Sequence, residues 1–285
     1  MLSDKKRMVM GFGIIVAIIA GGYAGLVIST GFNAPFSVVM SQSMQHDTYA
    51  QLGIIDTGDI MVIKSPEKYG EITSYIDAVK EGEDDEKHYG DYGNVIIYDR
   101  NNGRNPVIHR AILWVDYDVS TGKWSAPSLE GYEGNWYCVY EGKRYTDYTD
   151  LKGTLYLEDI TVSNKNVNVT FSKLQENSGF LTLGDNPTGN KEFDQTSGII
   201  NHPISLEDIR SIPVHEIPFF GSIKILLKNG GDNLEYVPNS IPSFLMIVIL
   251  LFGIIMLFDS MFTLRNTKNM KDRINTKTGR RDEEE

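Results

Sequence analysis

Two apolar runs, one near each end, constrain this chain more than any other feature. Residues 8–29 form a nearly uninterrupted apolar stretch without a charge, and residues 241–258 form another. At 1.5 Å rise per residue, a helix of about 20 residues crosses a hydrocarbon core of roughly 30 Å. Both runs are therefore read as transmembrane helices, over 8–29 and 241–262. Lys5, Lys6 and Arg7 precede the first run, and Arg265, Lys268, Lys271, Arg273, Lys277, Arg280 and Arg281 follow the second. Basic flanks stay in the cytoplasm. The expectation is a multi-pass protein of the cell membrane, in contact with lipid. Residues 1–7 and 263–285 are then cytoplasmic, and residues 30–240 form an extracytoplasmic domain. A cleaved signal peptide is the competing reading of the first run. That run exceeds the usual apolar core of about 7–15 residues, and Val27-Ile28-Ser29-Thr30 lacks a small-x-small cleavage site. The closing Asp282-Glu283-Glu284-Glu285 reads as a solvated tail.

The formal net charge of −11 argues against nucleic acid as a partner. The single cysteine, Cys138, has no partner for an internal disulfide. It lies in Trp136-Tyr137-Cys138-Val139-Tyr140, which reads as an ordinary strand rather than a nucleophile's setting. The densest acidic run, Glu81-Gly82-Glu83-Asp84-Asp85-Glu86, lacks the spaced ligands and turn glycine of a calcium loop. No metal site and no cofactor are expected.

The outer domain reads as mainly β. Strands are expected at residues 60–64, 94–98, 107–115 and 180–183, with turn clusters such as residues 101–106 between them. Two stretches interrupt this pattern. Residues 65–93 read as a polar, solvated insertion with a short helix around 72–80. Residues 116–178, with short aromatic-rich strands punctuated by Gly, Asn and Asp, read as an antiparallel β insertion. Asn168-Val169-Thr170 is an N-glycosylation sequon.

Chemistry is expected first where the first run ends. Ser37-Val38-Val39-Met40 reads as a strand entering Ser41-Gln42-Ser43-Met44. Two serines two apart on an extended backbone point to the same side. One can attack a carbonyl while the other donates to the developing oxyanion. The adjacent His46-Asp47 pair is set aside, because triads assemble from distant segments. His109 stands in an otherwise apolar strand, where a polar ring needs a partner. His46, His88, His202 and His215 have weaker settings. Lys64, ending a strand, offers a serine–lysine alternative or a solvated edge residue.

Four stretches stand in order: Ser41-Gln42-Ser43-Met44, Gly58-Asp59-Ile60-Met61-Val62, Val107-Ile108-His109-Arg110, and Gly184-Asp185-Asn186 with Asp194-Gln195 behind it. Together with the anchor, this order resembles type I signal peptidase. The resemblance is to the archaeal and endoplasmic-reticulum branch, which uses histidine where most bacterial members use lysine; a bacterial histidine-type enzyme fits nearly as well. It covers residues 31–64, 94–115 and 180–228. It implies an antiparallel β catalytic domain of signal-peptidase type, with a β-rich insertion and flanking transmembrane helices. It implies a serine endopeptidase with Ser43 as nucleophile and His109 as general base. The Ser43 N–H and the Ser41 hydroxyl would form the oxyanion hole. Asp185 and Asp194 match the two aspartates of the family pattern. Asp194 is expected to orient His109, and Asp185 to cap its own turn by accepting backbone N–H bonds. The implied substrates are secretory precursor proteins, bound as an extended strand beside Phe36, Val38 and Met40, with the protein-export channel as a further partner. Gln45-His46 departs from the family's acidic-proline pair, and both insertions are long. The alternative is a non-catalytic, membrane-anchored β-rich binding or assembly module.

Overall fold

The structure is a computed structural model and describes residues 4–83, 86–100, 103, 105–189, 191–229 and 232–279. The tail at 282–285, and parts of the acidic run 81–86 and of the turn cluster 101–106, lie outside the described residues. The chain divides into two compact units, Met1–Pro238 and Asn239–Glu285.

The first unit opens with helix α1, Asp4–Thr30. Gly31, at φ +79, ends it, and its N–H donates to the Val27 carbonyl at 2.9 Å. A glycine tolerates this left-handed geometry at little cost. Within α1, Val9–Thr30 is long and apolar enough to cross a membrane, with mean hydropathy 2.2. The second unit is built on one long helix, Ser240–Gly279, in which Ser240–Arg265 passes the same test at mean hydropathy 2.8. Neither window is buried against protein, which is how a lipid-facing helix must present its side chains.

Between α1 and Pro238 the unit is β-rich. The strands are β1 (Phe36–Val38), β2 (Ile60–Lys64), β3 (Lys87–His88), β4 (Asp91–Tyr92), β5 (Val95–Tyr98), β6 (Val107–Asp118), β7 (Lys123–Ser125), β8 (Trp136–Tyr140), β9 (Lys143–Tyr145), β10 (Thr154–Ile160), β11 (Lys165–Thr170), β12 (Gly179–Leu183) and β13 (Ile209–Ile217). A seven-stranded antiparallel sheet runs β1-β2-β13-β5-β6-β12, with β7 on β6; a four-stranded antiparallel sheet runs β11-β10-β8-β9. Short helices α2 (Pro66–Tyr69), α3 (Tyr75–Glu81) and α4 (Asp194–Ser197) lie between strands, and α5 (Ser222–Asn229) follows β13.

The largest core joins the two sheets. Leu113, Val115, Leu181 and Leu183 of β6 and β12 pack with Leu155, Leu157, Val167 and Val169 of β10 and β11. The insertion 116–178 is thus part of the core. So is α3: Tyr75 and Ile76 are buried in the same cluster, which corrects the expectation that 65–93 is a solvated insertion. The polar residues dominate its composition, but a few apolar side chains at helical spacing dock it.

β6 is the strand on which the site depends. Leu181 pairs with Leu113 but Thr182 with Ala111, so Ile112 is an extra residue on β6. Such a bulge resets the alternation. Upstream of it, His109 lies opposite Ile96 and Arg110 opposite Val95. Consecutive strand residues point to opposite faces, so this histidine and this arginine serve different sides of the sheet.

Candidate active site

The serine segment is a turn. β1 ends at Val38, two residues earlier than expected, and residues 41–44 bend rather than extend. The Ser41 and Ser43 hydroxyls nevertheless meet at 3.3 Å, so the turn does what an extended backbone was expected to do. Three anchors hold it. Met44 is buried with Val39, Ile55, Met61 and Val95. The Asn186 N–H donates to the Ser43 carbonyl at 3.0 Å, and its side-chain amide to the Gln42 carbonyl at 2.7 Å. Gln45 is buried, accepts from the Thr57 hydroxyl at 2.7 Å and donates to the Asp47 carbonyl at 3.2 Å. The departure at Gln45 is therefore built into the local packing.

On one face of β6, His109 Nδ1 lies 2.7 Å from Asp194 Oδ2, both groups buried. Asp194 opens α4 behind Phe193, a fully buried ring that pins the segment. The Tyr98 hydroxyl donates to the same Asp194 oxygen at 2.5 Å and lies 3.0 Å from the Thr182 hydroxyl. Burial, and then the Asp194 charge, push the Tyr98 phenol well above its ordinary value, so it stays a donor. Asp194 Oδ1 is buried without a hydrogen-bond partner among the described residues.

On the other face, Arg110 is fully buried. Its Nε and Nη2 donate to Asp185 at 3.0 and 2.5 Å, and its Nη1 to the carbonyls of Gly93, His88 and Tyr92 at 2.7, 3.0 and 3.0 Å. His46 Nε2 stands 3.3 Å from Asp185 Oδ2. Burial pushes the Asp185 carboxyl up, but the Arg110 charge, with the His46 and Arg110 hydrogen bonds, outweighs it and holds the group at about 2. The cap expected of Asp185 belongs instead to Asn186, whose Oδ1 accepts from the Thr188 and Gly189 N–H groups at 2.9 Å each. A guanidinium with no access to water competes better for the carboxylate than two backbone amides do. Behind the turn, Lys165 donates to the Gly184 carbonyl at 2.5 Å, its amine pushed down to about 8 by burial against the pull of Asp185, Asp194 and Asp91.

The serine turn and His109 meet at a cavity of about 610 Å³. Ser41, Ser43 and His109 line it, with Phe36, Val38 and Met40. Lys64 does not. β1 is the edge of its sheet, so one side of its backbone has no strand partner among the described residues. Cys138 is buried in β8, its thiol pushed up to about 11 by burial. Among the described residues, no group of three or more His, Cys, Asp and Glu side chains is placed to hold a metal.

No protein-family model matches the chain, and no curated protein matches it as a relative. The geometry stands on its own. It adds residues that sequence reasoning left without a role: Tyr98, Arg110, Lys165 and the clamp of Asn186. Arg110 carried a signal, since a charge inside an apolar strand demands a buried counterion. Tyr98 and Lys165 carried none, because their partners come from segments far along the chain.

Proposed function

We propose that the chain is a membrane-anchored serine endopeptidase of signal-peptidase type, removing signal peptides from secretory precursors on the extracytoplasmic face. The observation that carries this reading is that Ser43 and His109 line one cavity while Asp194 holds His109 by Nδ1. A serine hydroxyl is a weak nucleophile and needs a base. With Nδ1–H given to Asp194, Nε2 is the nitrogen free to take the serine proton and return it to the leaving amine. The buried carboxylate stabilises the imidazolium formed in between. Ser41, 3.3 Å from Ser43, is in reach of the same reacting carbonyl, and losing one oxyanion donor typically costs about 3–4 kcal/mol.

The free edge of β1 suits an extended peptide, which adds as a strand by backbone hydrogen bonds. Two helices long enough to span, with basic flanks, support a reading in which both termini are cytoplasmic and Ser43, a short way past the first helix, works near the membrane surface. Anchoring both enzyme and precursor in one bilayer raises their effective concentration.

The test is precursor cleavage in detergent by wild type beside Ser43→Ala. Processing by the wild type, and its loss in a variant with an unchanged melting temperature, is the expected result. Undiminished cleavage by Ser43→Ala rejects the serine mechanism.

A further inference from the structure

Every charged side chain lining the serine–histidine cavity is basic. Arg100, Lys224 and Lys228 line it, and no aspartate or glutamate does among the described residues. This is the reverse of the whole chain, which carries −11. Lys224 and Lys228 are one turn apart on α5, both exposed, so they share a helix face. The cavity brings them onto the same lining as Phe36 and Val38 of the free-edged strand. A close approach keeps α5 there: a side chain at Gly221 would meet the Gly58 and Asp59 carbonyl oxygens at 2.8 Å and Val38 at 2.8 Å. Neither lysine forms an ion pair with an acid among the described residues, and Arg100 Nε is buried without a hydrogen-bond partner.

We infer that this cationic wall selects peptides carrying an acidic side chain close to the scissile bond. The inference rests on the peptidase reading and names its substrate class. Three cations along a partly enclosed cleft focus a positive field on whatever lies against β1. A neutral extended peptide gains only the strand's hydrogen bonds there, while a carboxylate also gains charge-assisted bonds to groups that lack a partner. A lysine-bearing peptide meets like charge and is disfavoured. An anionic lipid headgroup is the other chemistry that three cations attract. The peptide is favoured because the cations share a cavity with Ser43 and His109.

The experiment measures binding of fluorescent peptides to full-length Ser43→Ala protein in detergent. One aspartate, one alanine or one lysine is walked along an otherwise constant sequence. At one or two adjacent positions, aspartate should bind about fivefold tighter than alanine, the size expected of exposed ion pairs. Lysine should bind more weakly than alanine, and the advantage of aspartate should shrink as salt is raised. Lys224→Gln with Lys228→Gln should reduce the aspartate-to-alanine ratio to about two or less. Lys224→Glu with Lys228→Glu should turn the preference towards lysine. Equal binding at every position, or a ratio that both double variants leave alone, overturns the inference while leaving the peptidase reading intact. Acid-selective binding without cleavage by the wild type overturns the peptidase reading and leaves the cleft chemistry standing. Failure of every peptide to bind overturns both. Vesicles of anionic and of zwitterionic lipid form the last arm. If the double variants lose anionic-vesicle binding but keep the peptide ratio, the cations serve lipid and the inference fails.

Discussion

His109 and Arg110 are neighbours on one strand, yet they build two unlike regions. Each takes a buried aspartate from the segment after β12. His109 takes Asp194 at 2.7 Å beside the cavity, and Arg110 takes Asp185 at 2.5 Å in a fully buried network. The pleat separates the two pairs to opposite faces. The first pair couples a titratable ring to a carboxylate and touches the cavity. The second couples a permanent cation to a carboxylate and ties down the turn that carries Asn186. Chemical potential and mechanical support are thus divided between the two sides of β6.

The largest expected effect breaks the first side alone. Asp194→Asn keeps the shape but can hold the wrong histidine tautomer and cannot stabilise an imidazolium. In a comparable triad that change costs about 10⁴ in rate. The rate of precursor cleavage should fall by that order with little change in melting temperature. A fully active Asp194→Asn enzyme would remove this side's claim to the chemistry.

Next comes the other side. Asp185→Ala leaves the Arg110 guanidinium buried without its counterion, and breaking such a pair costs about 3–5 kcal/mol. Denaturant melts should show a loss of that size, with activity falling through instability. A stable but inactive Asp185→Ala protein would exchange the two assignments.

A pH series sharpens the contrast at lower cost in energy. Asp185 sits at about 2 against an ordinary 3.8. Its contribution is present above about 4 and lost as pH falls through about 2, worth on the order of 2 kcal/mol. The buried Asp56 and Asp59 behave oppositely. Burial first, and for each the nearby acidic charges, raise both to about 7 against backbone N–H bonds. Their contribution is present at low pH and lost as pH rises through about 7. Melting curves in Asp185→Asn should lack the acid step, and those of Asp56→Asn should lose less stability between pH 5 and 8, as orders of magnitude from the same linkage. Persistence of the acid step in Asp185→Asn would refute its assignment to this carboxylate.

The smallest effect concerns Tyr98. Tyr98→Phe removes one donor to Asp194 and leaves the ring volume. A lost hydrogen bond to a charged group is worth about 1.5–3 kcal/mol, shared between stability and rate. A slower enzyme is expected, because Asp194 would lose one of the donors that hold its carboxylate beside His109. An unchanged rate of cleavage with lower stability would make the tyrosine purely a packing residue.

Much of this arrangement was legible from residues alone. The strand carrying His109, and those at residues 60–64, 94–98 and 180–183, are legible as apolar runs bounded by turn residues. His109 announced a partner because a polar ring in an apolar strand needs one. β1 was read through Met40, although the apolar residues Val39 and Met40 belong to the approach to a turn; periodicity does not distinguish a strand's last residues from a buried turn. Asp185 was given a local cap because Gly-Asp-Asn-Pro favours one, and the competing bond came from Arg110, 75 residues away. α3 reads as solvated because its composition is polar, while a few apolar side chains, Tyr75, Ile76 and Ala78 with Val79 beside them, dock it.

By itself, the amino-acid sequence determined that two helices can span a membrane, because length and hydropathy are local properties that no packing need supply. It determined the β-rich character between them for the same reason, through apolar strands set off by Gly, Asn and Asp. Only the tertiary structure decided which aspartate serves which residue of β6. That choice depends on the strand pairing of His109 with Ile96 and Arg110 with Val95, on the bulge at Ile112 and on where the segment after β12 folds back. Register is a relation between distant segments. A shift of one residue would have turned the histidine to the arginine's face, away from Asp194 and from the cavity that Ser43 lines.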